Sequence, residues 1–277
     1  MDTPPAEFDL AIADYYRRAP EEARLETGPS LLEAIRTREL IERFAPAPPA
    51  TVIDIGGAAG AYALWLADAG YAVHLIDASP RLVAEARRRS AASSRPLASC
   101  AVGDARNVQF AEATADIVLL LGPLYHLTLA GDRVRSLAEG ARLLKPGGRM
   151  FVAAISRWAS AFDGLVRDLF ADPEFAAIVE RDVREGQHRN ETGRLDYFTT
   201  AYFHRPEELH REAIAAGLRV DGIFGIEGPG WLLADLDARL QDGRRRADLL
   251  RVARICESEP SLLGVSPHLL LVAGRSR

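Results

Sequence analysis

Residues 52–67, VIDIGGAAGAYALWLA, most constrain what this chain can fold into. An apolar run enters a cluster of small residues, and an apolar helical pattern leaves it. β-Branched residues bounded by glycine suit a strand, and glycine suits a turn that needs positive φ or close backbone approach. The unit then repeats along the chain. AVHLID is followed by a helical pattern over 81–92, LASCAVGD reads as a third strand, and ADIVLLLG is a continuous apolar run. Such runs suit a strand buried on both faces. A helical pattern over 133–144 ends in Lys145-Pro-Gly-Gly148, a turn that feeds RMFVAAI. Strands alternating with helices predict a parallel sheet with right-handed crossovers, whose ligands sit at the carboxyl ends of the strands.

Composition narrows the partners. The 277 residues carry a formal net charge of -5, so a polyanion such as nucleic acid is not the expected partner. Lys145 is the one lysine, an arginine skew that reflects base composition rather than binding. Cys100 and Cys256 fall in different apolar patterns, which predicts neither a disulfide framework nor a cysteine-built metal site. The N-terminal stretch lacks an apolar signal core, and no stretch nears the ~20 apolar residues that span a bilayer. The expectation is a cytoplasmic protein without metal or membrane contact, and a homodimer is left open.

The β–α rhythm breaks after Ile155. Residues 156–205 hold helical patterns over 160–170 and 173–185, then the polar and aromatic stretch GQHRNETGRLDYFTTAYFHRP. The rhythm resumes with a helix over 206–216 and the strand LRVDGIFGIE. A second helical excursion over 231–258 precedes the strand HLLLVAG. Upstream, residues 1–28 read as irregular or weakly helical. A helix is predicted from Ser30, with Ser30 as N-cap and Glu33 completing a capping box. The expected organisation is an N-terminal helical lid (1–45), a core domain (46–155 and 206–277) and a cap insertion (156–205).

The glycine loop excludes two nucleotide classes. A dinucleotide fingerprint G-x-G-x-x-G begun at Gly56 meets Ala58 and Ala61, and no lysine follows for a P-loop. Asp54, Gly56 and Gly60 instead match [D/E]-x-G-x-G-x-G, the first motif of the class I S-adenosylmethionine-dependent methyltransferases, which this chain resembles. Ala58 departs at the middle glycine. It fits if it keeps negative φ, with the extra Gly57 relieving the loop.

Further elements of the resemblance fall in order over residues 52–154. It implies S-adenosylmethionine as cofactor and S-adenosylhomocysteine as product, held by Asp54, Gly56, Gly57, Ala58 and Gly60. Asp77 and Ala78, after the second strand, would meet the ribose hydroxyls; a helix N-cap carboxylate is the plainer reading of Asp77. Asp104 and Ala105 would meet the adenine; an ordinary Gly-Asp turn is the alternative. Leu121 and Gly122 end the fourth strand, and Lys145-Pro-Gly-Gly148 is a companion turn. The implied fold is α/β, a Rossmann-like doubly wound sheet of seven strands. Six are parallel and the last is antiparallel, pairing segments 218–227 and 268–274, and a helical/β lid is inserted.

Methyl transfer demands alignment and exclusion of water, with a base needed only for a hydroxyl or an activated carbon. Tyr125 and His126 stand where the methyl should lie, His126 as base or as positioning residue. In the insertion His188, Tyr197, Tyr202 and His204 are candidates for the acceptor. The alternation in DYFTTAYFHRP predicts a half-exposed strand there. From the N-terminal segment, Tyr16 and Arg24 could close over the cofactor, Arg24 pairing with its carboxylate. GPLY stands where amino-directed nucleic-acid enzymes carry Asn/Asp-Pro-Pro-[Tyr/Phe]. The chain is thus closest to the small-molecule, quinone-biosynthesis-like type, with a peptide methyltransferase or a non-catalytic binding protein as rivals.

Overall fold

Alternation of side chains along each strand dictates two apolar layers, one on each face of the sheet. The computed structural model describes residues 7–18, Leu25 and 27–275. Neighbouring residues of one strand point into different cores. Ile53, Val118, Leu120, Val152 and Leu271 pack on one face; Val52, Ile117, Leu119, Phe151 and Leu270 pack on the other. Each such aliphatic side chain gains ~1.5–3 kcal/mol on full burial, so the apolar runs fix the sheet before any local propensity does.

The described elements begin with α1 (Glu7–Arg18) and α2 (Gly28–Phe44). Five parallel strands with their helices follow: β1 (Thr51–Ile55), α3 (Ala61–Asp68), β2 (Ala72–Asp77), α4 (Pro80–Ala92), β3 (Ser99–Val102), β4 (Ala115–Leu120), α5 (Pro123–His126), α6 (Ala130–Leu143) and β5 (Leu144–Ser156). The insertion supplies α7 (Ala159–Val166), α8 (Pro173–Glu185), β6 (Gln187–His188) and β7 (Ala201–His204). The chain closes with α9 (Pro206–Ala215), β8 (Leu218–Gly225), α10 (Leu236–Gln241), α11 (Gly243–Cys256) and β9 (His268–Arg275).

Strand order in the main sheet is β3-β2-β1-β4-β5, with β9 antiparallel to β5 and β8 antiparallel to β9. These seven strands form the expected sheet, six parallel and the last reversed. Two further short strands lie in the insertion: β7, inside the stretch expected to be extended, joins the end of β5 at Ile155↔Phe203, and β6, which was not foreseen, pairs with β7. Because β9 is reversed, its first residue, His268, faces Ile155 at the carboxyl edge of the parallel strands.

Residues 7–18 are helical, the second of the two readings given for 1–28. Local expectations needed correction at two places. α2 starts at Gly28 with Thr27 as N-cap and no side-chain cap bond. Pro29, with φ already set for a first turn, starts the helix ahead of Ser30; Glu33 is buried and makes no capping box there. DYFTTAYFHRP is extended only over Ala201–His204, and Leu195–Tyr197 is a 3-10 turn. Among the described residues, no helix is long and apolar enough to cross a membrane.

Candidate active site

β1 delivers the glycine loop to the carboxyl edge. The Gly56 and Gly57 amides both donate to the Ile76 carbonyl, at 2.7 and 3.2 Å. A Cβ on Gly56 would lie 2.3 Å from the Pro123 ring, and one on Gly57 would lie 2.6 Å from Asp54 Oδ2. Neither position admits a side chain. Gly60, at φ +88, opens α3 as its N-cap. Ala58 overturns its expectation: it holds φ +47, in the left-handed region that costs an L-residue roughly 1–2 kcal/mol. Its amide is held there by Asp77, whose Oδ2 accepts it at 2.9 Å.

Asp77 also accepts from the Ser79 amide at 2.8 Å, so one carboxylate ties the first loop to the turn after β2. Burial pushes its pKa up, against those two amides. Asp54 is buried, and its Oδ2 has no partner among the described residues. Burial, then the Asp77 carboxylate, pushes its pKa up to about 7. Two crowded carboxylates beneath a backbone cradle suit a ligand that brings hydroxyl donors and positive charge, as S-adenosylmethionine does. Ala78 is exposed beside them, and Leu121 and Gly122 are half-buried.

Asp104 sits at the same edge but is engaged. Its oxygens accept from the Arg106 amide and guanidinium, and Arg106 reaches on to Asp132 at 3.0 Å. Burial works against its charge, but the Arg106 fork outweighs this and holds its carboxyl below the usual range. Ala105 is buried in the core.

The turn after β4 leads away from the loop. A Cβ on Gly122 would stand 3.4 Å from the Gly56 carbonyl and 3.7 Å from the Tyr125 hydroxyl. Nδ1–H of His126 donates to the Thr200 carbonyl at 3.3 Å, which leaves Nε2 to accept the Tyr16 hydroxyl at 2.7 Å. Burial pushes the His126 pKa down to about 4, so the ring is neutral near pH 7. Tyr15, Tyr16, Tyr125 and His126 form an aromatic cluster around Phe198. Phe198 itself is strained, with φ +67, and its carbonyl accepts from Asn190 Nδ2 at 2.6 Å. A bulky side chain at positive φ persists only where its surroundings hold it.

Beyond Tyr125 opens a cavity of about 300 Å³, running from the tyrosines to Glu33, Glu227, Trp231 and His268. His188 and Tyr197 line it but are held from behind. His188 contacts the Asp182 carboxylate and the Tyr197 carbonyl, each at 2.8 Å, and Tyr197 donates to Asp172 at 2.6 Å. Tyr202 and His204 are not brought to it. They lie on the other face of β7, Tyr202 under the Arg133 guanidinium at 3.6 Å and His204 against Glu212 at 3.2 Å. Arg24 lies outside the described residues. Sequence reasoning missed Glu33, Glu227 and His268. The signal for the last two was present, since each stands at the edge end of a recognised strand.

Residues 53–152 match the profile of a methyltransferase domain. With that domain the chain resembles the class I S-adenosylmethionine-dependent methyltransferases.

It is 31% identical over 154 residues to the ubiquinone/menaquinone biosynthesis C-methyltransferase of Acidiphilium cryptum, covering 55% of this chain and 59% of that one. The ubiquinone biosynthesis O-methyltransferase of Caulobacter vibrioides is 29% identical over 182 residues, 66% of this chain and 64% of its own. The matches thus span about six tenths of these relatives. In fold, the chain resembles the PH0226 protein of Pyrococcus horikoshii at a TM-score of 0.62, with 16% identity, covering 95% and 99% of the two chains. S-Adenosylmethionine is accordingly the cofactor.

Proposed function

We propose that this methyltransferase moves a methyl group from S-adenosylmethionine to a small organic acceptor seated in the aromatic cavity. One observation carries the reading: the cavity starts at Tyr125, whose hydroxyl and the Gly56 carbonyl of the glycine loop both come up against Gly122. Bound S-adenosylmethionine supplies a methyl carbon whose bond to sulfur breaks, with its electrons left on sulfur, as the bond to the acceptor forms. Asp77 would hold the ribose hydroxyls of the bound cofactor, Asp54 would lie beneath the loop that carries its methionine part, and Asp104 would accept from its adenine amino group. Tyr16 and Phe198 roof the reacting atoms and exclude water. His126 acts as a positioning residue, since its acceptor nitrogen fixes the Tyr16 hydroxyl.

A volume of about 300 Å³ suits a small molecule better than a peptide segment. The quinone rings named for the relatives set the size class rather than the identity of the acceptor. Calorimetric titration with S-adenosylhomocysteine tests the reading. Binding with one site per chain is expected, weakened at least tenfold in Asp77→Ala. Undiminished affinity in that variant would remove the cofactor assignment.

A further inference from the structure

Phe198 holds a backbone conformation that its side chain disfavours. With φ +67 and ψ -166, it lies in a region populated almost entirely by glycine. Side chains from three places keep it there. The Phe198 carbonyl accepts from Asn190 Nδ2 at 2.6 Å, and the Tyr197 carbonyl before it accepts from His188 Nε2 at 2.8 Å. Two residues on, the Thr200 carbonyl accepts from His126 Nδ1 at 3.3 Å. Two of these clamps are themselves anchored. Asn190 Oδ1 accepts from the Thr192 amide and hydroxyl, at 3.1 and 2.7 Å. His188 Nδ1 meets Asp182 at 2.8 Å, and the same carboxylate takes the Ser160 hydroxyl at 2.6 Å. Glycine would adopt this turn without help, so what the clamps preserve is the place of one phenyl ring.

That ring is not used up in packing. It is half-buried and lines the cavity. Tyr15, Tyr125, His188 and His126 surround it at interplanar angles of 79°, 58°, 47° and 32°. Among the described residues, then, no ring stacks parallel on Phe198. His188 shows what such a pair looks like here, lying on Phe203 at 4.8 Å and 10°. Aromatic pairs gain from offset-stacked contact beyond the area they bury. Phe198 neighbours Tyr125 and His126, so it stands at the end of the cavity that borders the glycine loop.

We propose that Phe198 is a specificity-determining residue whose ring reads a flat, uncharged ring in the acceptor, with Asn190 and His188 as the positioning residues that hold its strained backbone. This rests on the methyltransferase reading above and adds the shape that the acceptor presents at the glycine-loop end. A saturated ring of the same size would fill the space without the stacking contact.

The test uses the full chain loaded with S-adenosylhomocysteine and two probes that differ only in the flatness of the ring, 2-phenylethanol and 2-cyclohexylethanol. Calorimetry should find the flat probe tighter by at least about fourfold. In Phe198→Leu, which keeps apolar bulk without a flat face, the ratio should fall below about twofold, with S-adenosylhomocysteine affinity unchanged. Phe198→Tyr keeps the face and should keep the ratio. Should Phe198→Leu fail to fold, Asn190→Ala takes its place: it leaves the ring, frees its carbonyl and should bring the ratio below the same limit. Equal or absent binding of the two probes to the loaded wild type overturns the inference. So does a ratio that survives the substitution to leucine, or one that is lost in Phe198→Tyr. Failure of the wild type to bind S-adenosylhomocysteine would instead overturn the underlying reading.

Discussion

Tyr16 and His126, 110 residues apart in sequence, share a 2.7 Å hydrogen bond across the mouth of the cavity. The bond joins α1 to the turn after β4. The Arg81 guanidinium adds a second tie to the same helix, donating to the Tyr16 carbonyl at 2.8 Å. Both contacts place the N-terminal helix over the junction of loop and cavity.

Removing that hydroxyl isolates its role. Tyr16→Phe leaves the ring contacts with His126 and withdraws only the donor, at a cost of about 1–2 kcal/mol to the closed arrangement. Acceptor kcat/KM should fall roughly five- to thirty-fold, the factor that such an energy commands. Wild-type kinetics in this variant would show that α1 does not close over the reaction.

Stability should respond to His126 in acid. Its folded pKa of about 4 lies below the ordinary histidine value, so the unfolded chain binds the proton more readily. The contribution is complete above about pH 6.5 and is lost as pH falls toward 4, reaching at most about 3 kcal/mol and less for a partly accessible ring. Asp54 acts in the opposite sense. Its carboxyl is raised to about 7, and its contribution fades as pH rises through that value. The comparison to make is therefore wild type against His126→Asn, by chemical denaturation from pH 4 to 7. The stability difference, wild type minus variant, should grow as pH rises from 4 to about 6.5, and parallel curves would reject the assignment.

Ala58→Gly should be benign or helpful. Glycine relieves the roughly 1–2 kcal/mol cost of φ +47. It gives back about 0.4–1 kcal/mol to the freer unfolded chain. A Tm rise of about 1–3 °C is expected, read by scanning calorimetry. A fall of several degrees would mean that the alanine methyl group makes a contact worth more than the strain.

Arg133 anchors the far side of β7. Its side chain is 3% exposed, bonds Glu212 and the Leu127 and Thr128 carbonyls, and stacks on Tyr202. Arg133→Ala leaves the half-buried Glu212 without its main cation, so stability should drop by about 2–4 kcal/mol in urea unfolding. Because those carbonyls immediately follow His126, acceptor KM should rise as well. A loss under 1 kcal/mol would show that the network is surface-like.

Part of the site was legible because it follows strand chemistry. Asp54, Asp77 and Asp104 fall at or beside strand ends, and a parallel sheet delivers every such end to one edge. The insertion was not legible in the same way. Its alternation allowed either face of DYFTTAYFHRP to meet the cavity. The choice depended on β7 joining β5 in a register that turns Phe203 inward and sends Tyr202 and His204 to Arg133 and Glu212. A one-residue shift in that pairing would exchange the two sets.

Sequence by itself determined the sheet, its order of motifs and the cofactor class. Those follow from local apolar runs and from glycines whose spacing no packing partner alters. Only the tertiary structure decided that Ala58 is left-handed, that Glu33 serves a cavity instead of a helix cap, and that Glu227 meets His268. The reason is physical. Each of these depends on the atoms that crowd a residue from distant segments, and a reversed final strand brings His268 to an edge that its own neighbours in sequence do not announce.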